Sequence, residues 1–184
     1  MTFAKYANTP QSRELDSMIK RARKELKQEF SGSFDCHKKL NHNDWVKYFN
    51  YKPIKTGCEP DGGLWYLNGA LVAVFEGKHQ GDGGNADERW GKNANLINHI
   101  FGYYNLGFGI YHTLATGLAC RDKWRDSEVI SSVTYGCDCR WTLKENGFTY
   151  EEILDIMRNT LNEILGKNNI PHVSPQPRGI LPNV

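Results

Sequence analysis

Long apolar segments are missing from this 184-residue sequence: it has no run of about 18 consecutive apolar residues, and residues 1–16 lack the apolar core of an export signal. The first absence argues against a helix that spans a membrane, and the second argues against secretion. We therefore expect a cytoplasmic protein of bacterial type with no membrane partner.

Cysteine is also scarce, with five residues: Cys36, Cys58, Cys120, Cys137 and Cys139. An odd number without regular spacing argues against a disulfide framework, and free thiols are expected in a reducing compartment. Cys137 and Cys139 could join Cys36 or His37 around zinc. A single C-x-C pair, however, lacks the second paired element that is typical of zinc sites.

A strong net charge is absent too, because the formal value is only +2. The charge is unevenly distributed. Residues 1–55 hold 12 Lys and Arg against 6 Asp and Glu, whereas residues 56–184 hold 11 against 15. With 39% hydrophobic residues, the chain has the composition of a soluble globular domain. We expect one domain over residues 1–170, and an extended tail over residues 171–184, where four of the seven prolines lie.

Apolar spacing predicts several helices and strands. Pro10 follows a candidate N-cap, Thr9, and begins a predicted amphipathic helix over residues 10–30. Its basic residues Lys20, Arg21 and Lys24 are either a solvated face or contacts to DNA phosphates. Two further helices are predicted, from residue 43 or 44 to 49 and over 85–104. A last helix is predicted to begin at a capping box of Thr149 and Glu152 and to end at Gly166. Further strands are predicted over 108–116 and 128–135.

A β-hairpin is predicted around Asn68-Gly69, with strands 64–67 and 70–76 apolar on both faces and therefore central. If Leu67 faces Ala70, then Asp61 faces Glu76 and Glu59 faces Lys78. Two opposed carboxylates repel unless a cation lies between them, and Mg²⁺ prefers such oxygen ligands. Lys78 shares the face of Glu76 because the side-chain period of a strand is two.

One alternative to this metal site is purely structural, and one irregularity would change the strand register. Asp61 could be only a turn residue, Glu76 only the end of a strand and Lys78 only its balancing charge. A β-bulge at Gly62-Gly63 would also shift the register by one residue.

Three short motifs follow one another along the chain: Pro60-Asp61-Gly62-Gly63, then Glu76-Gly77-Lys78-His79-Gln80-Gly81, then Gly84-Asn85-Ala86-Asp87-Glu88-Arg89. Together they resemble the PD-(D/E)XK nucleases, and specifically the EcoRI and MunI branch of the type II restriction endonucleases. The resemblance covers about residues 59–95, with a catalytic core over about 57–117. It implies an α/β (α+β) fold in which a mixed sheet has helices on both sides.

The resemblance also implies an activity, namely Mg²⁺-dependent hydrolysis of phosphodiester bonds in duplex DNA that leaves 5′-phosphate and 3′-hydroxyl ends, with Mn²⁺ as a possible substitute. Asp61, Glu76 and the Gly77 carbonyl correspond to metal ligands. Lys78 corresponds to the residue that orients the attacking water. Glu59, His79 and Gln80 are possible auxiliary residues, although a histidine in an apolar run, such as His79 or His112, is more often a hydrogen-bonded core residue.

The third segment corresponds to the element that reads adenine edges and bridges subunits in this branch, and its candidate DNA contacts are Asn85, Ala86, Glu88 and Arg89. Lys92, just beyond the segment, is a further candidate for a phosphate contact, together with Arg89. Asn85 and Glu88 also have the spacing of a helix cap. Only seven residues separate Lys78 from Asn85, where the type member has a long arm. The chain is therefore either a compact homodimer or the cleavage subunit of a heterodimer whose larger partner reads the site.

Two other classes stay open. Repair and recombination nucleases share the short ExK core but have no reason to carry the Asn85–Arg89 element. A non-catalytic DNA-binding module would use the same carboxylates only structurally.

Overall fold

A computed structural model of the chain describes residues 10–39, 59–79, 109–117 and 137–167. These residues form two helices and five strands: α1 (Pro10–Glu29), β1 (Asp35–His37), β2 (Leu64–Leu67), β3 (Ala70–His79), β4 (Gly109–Thr116), β5 (Cys137–Leu143) and α2 (Tyr150–Lys167). Neither of the helices among these residues is long and apolar enough to cross a membrane.

The five strands form one mixed sheet in the order β1-β2-β3-β4-β5. The β1–β2 and β2–β3 pairs are antiparallel, whereas β3–β4 and β4–β5 are parallel. All eight residues of β4 are buried, so both faces of the sheet are covered at its centre. The α/β class predicted from the sequence is confirmed.

The β2–β3 hairpin has the predicted two-residue turn. Asn68 and Gly69 adopt φ values of 50° and 79°, as a type I′ turn requires, and Leu67 faces Ala70. The predicted register fails further along the strands, however, because Val72 is an extra residue on β3. Tyr66 pairs with Leu71, but Trp65 pairs with Ala73.

This bulge makes the predicted oppositions of Asp61 with Glu76 and of Glu59 with Lys78 wrong by one residue. Beyond the bulge Leu64 pairs with Val74, and Gly62 N–H donates to the Phe75 carbonyl at 3.0 Å. The observed bulge lies nearer the Asn68-Gly69 turn than the alternative at Gly62-Gly63.

Both described helices pack on one face of the sheet. Leu15, Ile19, Ala22 and Leu26 of α1 are buried, and they join α2 and the sheet in one apolar core. Such a stripe, recurring every three or four residues, is what the sequence predicted for α1. The helix expected over residues 85–104, and hence a helical layer on the second face, lies outside the described residues. So do the helix expected at 43–49, the strand expected at 128–135 and the tail at 171–184.

Strand β5 begins at Cys137 and was not predicted as a strand. It lies at the opposite sheet edge from β1, four strand spacings or about 19 Å away. Cys36 and His37 of β1 therefore cannot share a zinc ion with Cys137 and Cys139, and that alternative is wrong. Cys36 itself is a buried free cysteine, and burial raises the pKa of its thiol to about 12.

Two polar contacts join α2 to the sheet. The Thr160 hydroxyl donates to the Ile156 carbonyl at 2.8 Å, so it accepts from His112 Nδ1 at 3.3 Å. His112 Nε2 lies 2.8 Å from the Thr142 hydroxyl, which makes His112 a hydrogen-bonded core residue, as the sequence analysis favoured. Arg140 of β5 binds Glu163 through both guanidinium NH groups, at 2.5 and 2.7 Å.

The N-terminus of α2 has the predicted capping box. Thr149 N–H donates to Glu152 Oε2 at 2.9 Å, and Glu152 N–H donates to Thr149 Oγ1 at 3.2 Å. The helix continues through Gly166 to Lys167, one residue beyond the predicted end.

We predict that the Arg140–Glu163 pair makes stability depend on acid pH. The hydrogen bonds from Arg140 and, to a smaller extent, from Lys167 lower the pKa of Glu163 to about 2 from its ordinary 4.5. The pair is thus fully stabilising above pH 4.5 and is lost as the pH falls from there toward 2. Glu163→Gln should reduce the free energy of unfolding by roughly 1 kcal/mol or less at pH 7.

Urea unfolding of both proteins at pH 7, 4 and 2.5 measures this difference, which should shrink toward zero at the lowest pH. Glu151→Gln, an exposed substitution on the same helix, is the control. A Glu163→Gln difference that stays constant from pH 7 to 2.5 would contradict the prediction.

Candidate active site

The turn Pro60-Asp61-Gly62-Gly63 needs both of its glycines. Gly63 N–H donates to the Pro60 carbonyl at 3.0 Å, and Trp65 Nε1–H donates to the Gly62 carbonyl at 2.8 Å. A Cβ atom at Gly62 would lie 2.4 Å from Phe75 Cβ, and Gly63 has φ of +81°. The turn therefore holds Asp61 close against β3.

The candidate site lies where β3 extends past β2. The β2–β3 ladder ends at Leu64 and Val74, so within the described residues Glu76 to His79 pair with β4 but not with β2. Gly77 shares the face on which Phe75 packs against α1 and α2, whereas Glu76 and Lys78 point to the other face. At such an edge, side chains from both faces can reach Asp61.

Glu76 and Lys78 meet as the ExK spacing predicts: Lys78 Nζ lies 3.7 Å from Glu76 Oε1. The side chains are 18% and 11% exposed for Lys78 and Glu76, respectively. Burial raises the pKa of Glu76; Lys78 opposes this change, and the carboxylates of Asp61 and Asp16 add to it. The backbone of Asp61 also opposes the rise in the pKa of Glu76, so the turn lies close to this carboxylate.

Asp61 is held by cations of α1. Lys20 Nζ lies 3.5 Å from Asp61 Oδ1, and the Arg23 guanidinium donates to the Asp61 carbonyl at 3.2 Å. The Asp61 side chain is only 16% exposed. Despite the shifted register, Asp61 and Glu76 therefore converge at the edge of β3, each with a lysine ammonium beside it.

Asp16 is a third carboxylate that the sequence analysis missed. Its side chain lies beside that of Asp61 over Gly77, since a Cβ atom at residue 77 would lie 3.4 Å from both Asp16 Oδ1 and Asp61 Oδ2. Burial, together with the negative charge of Asp61, raises the pKa of Asp16. Its spacing of four from Lys20 and seven from Arg23 places the three on one side of α1. That pattern was visible in the sequence, but its contact with Asp61 was not.

Gly77 lets α1 approach the site closely. A Cβ atom there would lie 2.7 Å from Ile19 Cδ1, and 3.4 Å from both Asp16 Oδ1 and Asp61 Oδ2. A side chain at residue 77 would thus occupy the space in which the two aspartates and the helix meet.

Two of the three auxiliary candidates, Glu59 and His79, are among the described residues and lie away from Lys78. Glu59 binds Lys38 at 2.7 Å rather than Lys78. His79 Nδ1 lies 2.8 Å from the Thr116 hydroxyl, on the face opposite Lys78, and burial lowers its pKa. The His79 side chain also lines a 310 Å³ cavity between the N-terminal half of α1 and residues 145–148.

The basic residues proposed as DNA contacts separate into two groups. Lys20 and Lys24 are exposed on the side of α1 that carries Asp16. Arg21 instead lies over the Tyr150 ring of α2, 3.9 Å from its centroid, so it is directed toward α2 and its contact with a phosphate stays a prediction. Gln80, Asn85, Ala86, Glu88, Arg89 and Lys92 lie outside the described residues.

The donor set at the edge of β3 fits a hard divalent cation. Asp61 and Glu76 offer carboxylate oxygens, and Mg²⁺ is commonly held by one or two carboxylates together with substrate phosphate and water. Within the described ranges, no group of three or more His, Cys, Asp or Glu residues has the geometry of a complete metal site. Bound metal would therefore share its coordination with backbone carbonyls, water or substrate.

Neither a scan against models of known protein families nor a search of curated proteins finds a match for this chain. Its function is therefore inferred from the motifs and from the arrangement of the residues described above.

We predict that Gly77→Ala destabilises the fold by about 1–3 kcal/mol, because the new methyl group meets Ile19 Cδ1. Ile19→Val removes that atom and alone should cost about 1 kcal/mol. The double variant should be more stable than the sum of the two single effects predicts. Chemical denaturation of all four proteins measures the coupling.

Gly166→Ala is the matched control, since a Cβ atom there meets nothing within 4 Å and alanine favours the helix. Strictly additive effects of Gly77→Ala and Ile19→Val would show that helix α1 does not restrict residue 77.

Proposed function

We propose that this chain is a metal-dependent endonuclease of duplex DNA, of the PD-(D/E)XK class and of the type II restriction kind. The observation that carries the proposal is the convergence of Asp61, Glu76 and Lys78 at the edge of β3, with Lys78 Nζ 3.7 Å from Glu76 Oε1. The three residues come from two segments in the order that the resemblance requires. The five-stranded mixed sheet is compatible with a restriction-endonuclease-like fold, which we include in the proposal.

The residues have distinct proposed roles. Asp61, Glu76 and the Gly77 carbonyl hold Mg²⁺, or Mn²⁺ in its place. The bound ion supplies charge neutralisation at the phosphoryl oxygens and makes a water more acidic. Lys78 holds the attacking water in line with the scissile phosphorus, because its ammonium lies beside Glu76 on the same face of β3.

Buried Glu76 favours this interpretation over a purely structural one. A carboxylate that burial destabilises, with other carboxylates nearby, is costly to the fold unless a cation compensates it. Functional sites are where such perturbed acids concentrate.

The surroundings of the site suit a polyanion. By helical spacing Arg13, Lys20, Lys24 and Lys27 lie along one side of α1, and Lys38 and Lys39 lie near Glu59. Phosphate contacts of this kind dominate the affinity of proteins for DNA. The acidic centre is thus bordered by a basic rim.

For assembly, we propose a homodimer or a complex with a larger restriction subunit that reads the site. A homodimer would cut both strands of a palindrome. A cleavage subunit would be monomeric and inert alone, and would cut one strand when its partner is supplied.

We predict Mg²⁺-dependent plasmid cleavage that Asp61→Asn and Lys78→Ala each reduce at least about 100-fold, since each variant removes a proposed ligand or the water-orienting group. Glu151→Gln on α2 is the control. Size determination with mapped product ends separates a homodimer from a partner-dependent subunit. Undiminished cleavage by either site variant contradicts the assignment. If the purified chain is monomeric and inert, the same comparison is made with the partner subunit present.

We also predict that Lys24→Ala weakens DNA binding and lowers the slope of log affinity against log salt concentration by about 0.9, the value for one phosphate contact. Arg21→Ala should leave the slope unchanged, because Arg21 lies over Tyr150. Fluorescence anisotropy with a labelled duplex, in the absence of Mg²⁺, measures both slopes. Equal slopes for wild type and Lys24→Ala would leave that side of α1 as a solvated face.

A further inference from the structure

Lys20 has two competing partners if the proposed function holds. Its ammonium lies 3.5 Å from Asp61 Oδ1, and the lysine side chain is 47% exposed while that of Asp61 is 16% exposed. The lysine can therefore reach solvent and any bound phosphate, whereas the carboxylate cannot move far from the edge of β3. Arg23 and the Pro60–Gly63 turn fix the backbone of Asp61 from the other sides.

Asp16, one helical turn before Lys20, acts on Asp61 in the opposite sense. Its carboxylate lies beside that of Asp61 over Gly77 and adds negative potential where a cation would bind. Lys20 adds positive potential at the same carboxylate. At such short range in a partly desolvated site, both effects are larger than they would be on an open surface.

We propose that Lys20 couples metal binding to DNA binding at Asp61, with Asp16 as a second positioning residue. In the free protein the Lys20 ammonium is paired with the Asp61 carboxylate and weakens the affinity of Asp61 for a divalent cation. When duplex DNA binds, the ammonium pairs with a backbone phosphate instead, and Asp61 becomes a better metal ligand. By thermodynamic linkage, the metal must strengthen DNA binding by the same factor.

This role of Lys20 rests on the proposed metal site. It is tested by the direction in which metal affinity changes. Removing a positive charge and removing a negative charge from neighbouring turns of one helix should change metal affinity in opposite directions. Loss of a merely structural contact would weaken metal binding in both cases.

The first experiment is calorimetric titration of the DNA-free full chain with Mn²⁺. Lys20→Met should bind Mn²⁺ about threefold more tightly than wild type, and Asp16→Asn about threefold more weakly, as expected for single ion pairs of this exposure. Lys20→Arg should resemble wild type because it keeps the charge. Arg21→Met and Glu14→Gln are matched controls on the same helix, and circular dichroism confirms that each variant is folded.

The second experiment measures the coupling itself. Duplex affinity is followed by anisotropy with and without Ca²⁺ at constant ionic strength, with Asp61→Asn to subtract effects of the ion on the duplex alone. Ca²⁺ should strengthen binding by wild type and do so markedly less for Lys20→Met.

The outcomes separate this inference from the proposed function. A wild-type chain that neither binds Mn²⁺ nor cuts DNA, alone or with a partner subunit, overturns both. A wild-type chain that binds Mn²⁺ and cuts DNA, while Lys20→Met binds Mn²⁺ equally or more weakly, overturns the coupling role of Lys20 alone. Equal Ca²⁺ dependence of DNA binding in wild type and Lys20→Met does the same.

Discussion

The close approach of helix α1 to the backbone at Gly62 and Gly77 determines the arrangement of the candidate site. A Cβ atom at Gly77 would lie 2.7 Å from Ile19 Cδ1, and one at Gly62 would lie 3.2 Å from Ile19 Cγ2 and 2.4 Å from Phe75 Cβ, so only glycine leaves the space. With the helix seated this way, Asp16, Lys20 and Arg23 reach Asp61, which its own turn holds beside β3. One apolar contact thus brings together charged groups from three separate segments of the chain.

The charges at this site offset one another only in part. Three carboxylates, Asp16, Asp61 and Glu76, are gathered in a space where burial disfavours their ionised forms, and the ammonium groups of Lys20 and Lys78 lie beside two of them. A fold that only needed stability would gain more from apolar packing at this point. The net charge of +2 reflects this cancellation between a basic helix and an acidic centre.

Much of this arrangement was predictable because its signals are local. Asn68-Gly69 specified the hairpin turn, Thr149 and Glu152 specified the start of α2, and the strand period placed Lys78 with Glu76. The bulge at Val72 was not predictable, since an extra residue in an apolar strand leaves no distinctive composition. The contact of Asp16 with Asp61 was missed because it depends on how a helix 45 residues earlier docks on the sheet. Residues 85–92 remain a prediction from the motif.

The most direct test of the central claim is a crystal structure of the protein with Mn²⁺, with anomalous difference density measured at the manganese edge. We expect a peak bound by the Asp61 and Glu76 carboxylates and the Gly77 carbonyl, with the Lys20 ammonium displaced from Asp61. The account would be contradicted by manganese peaks elsewhere in the crystal and none between Asp61 and Glu76, with both carboxylates still paired to lysines.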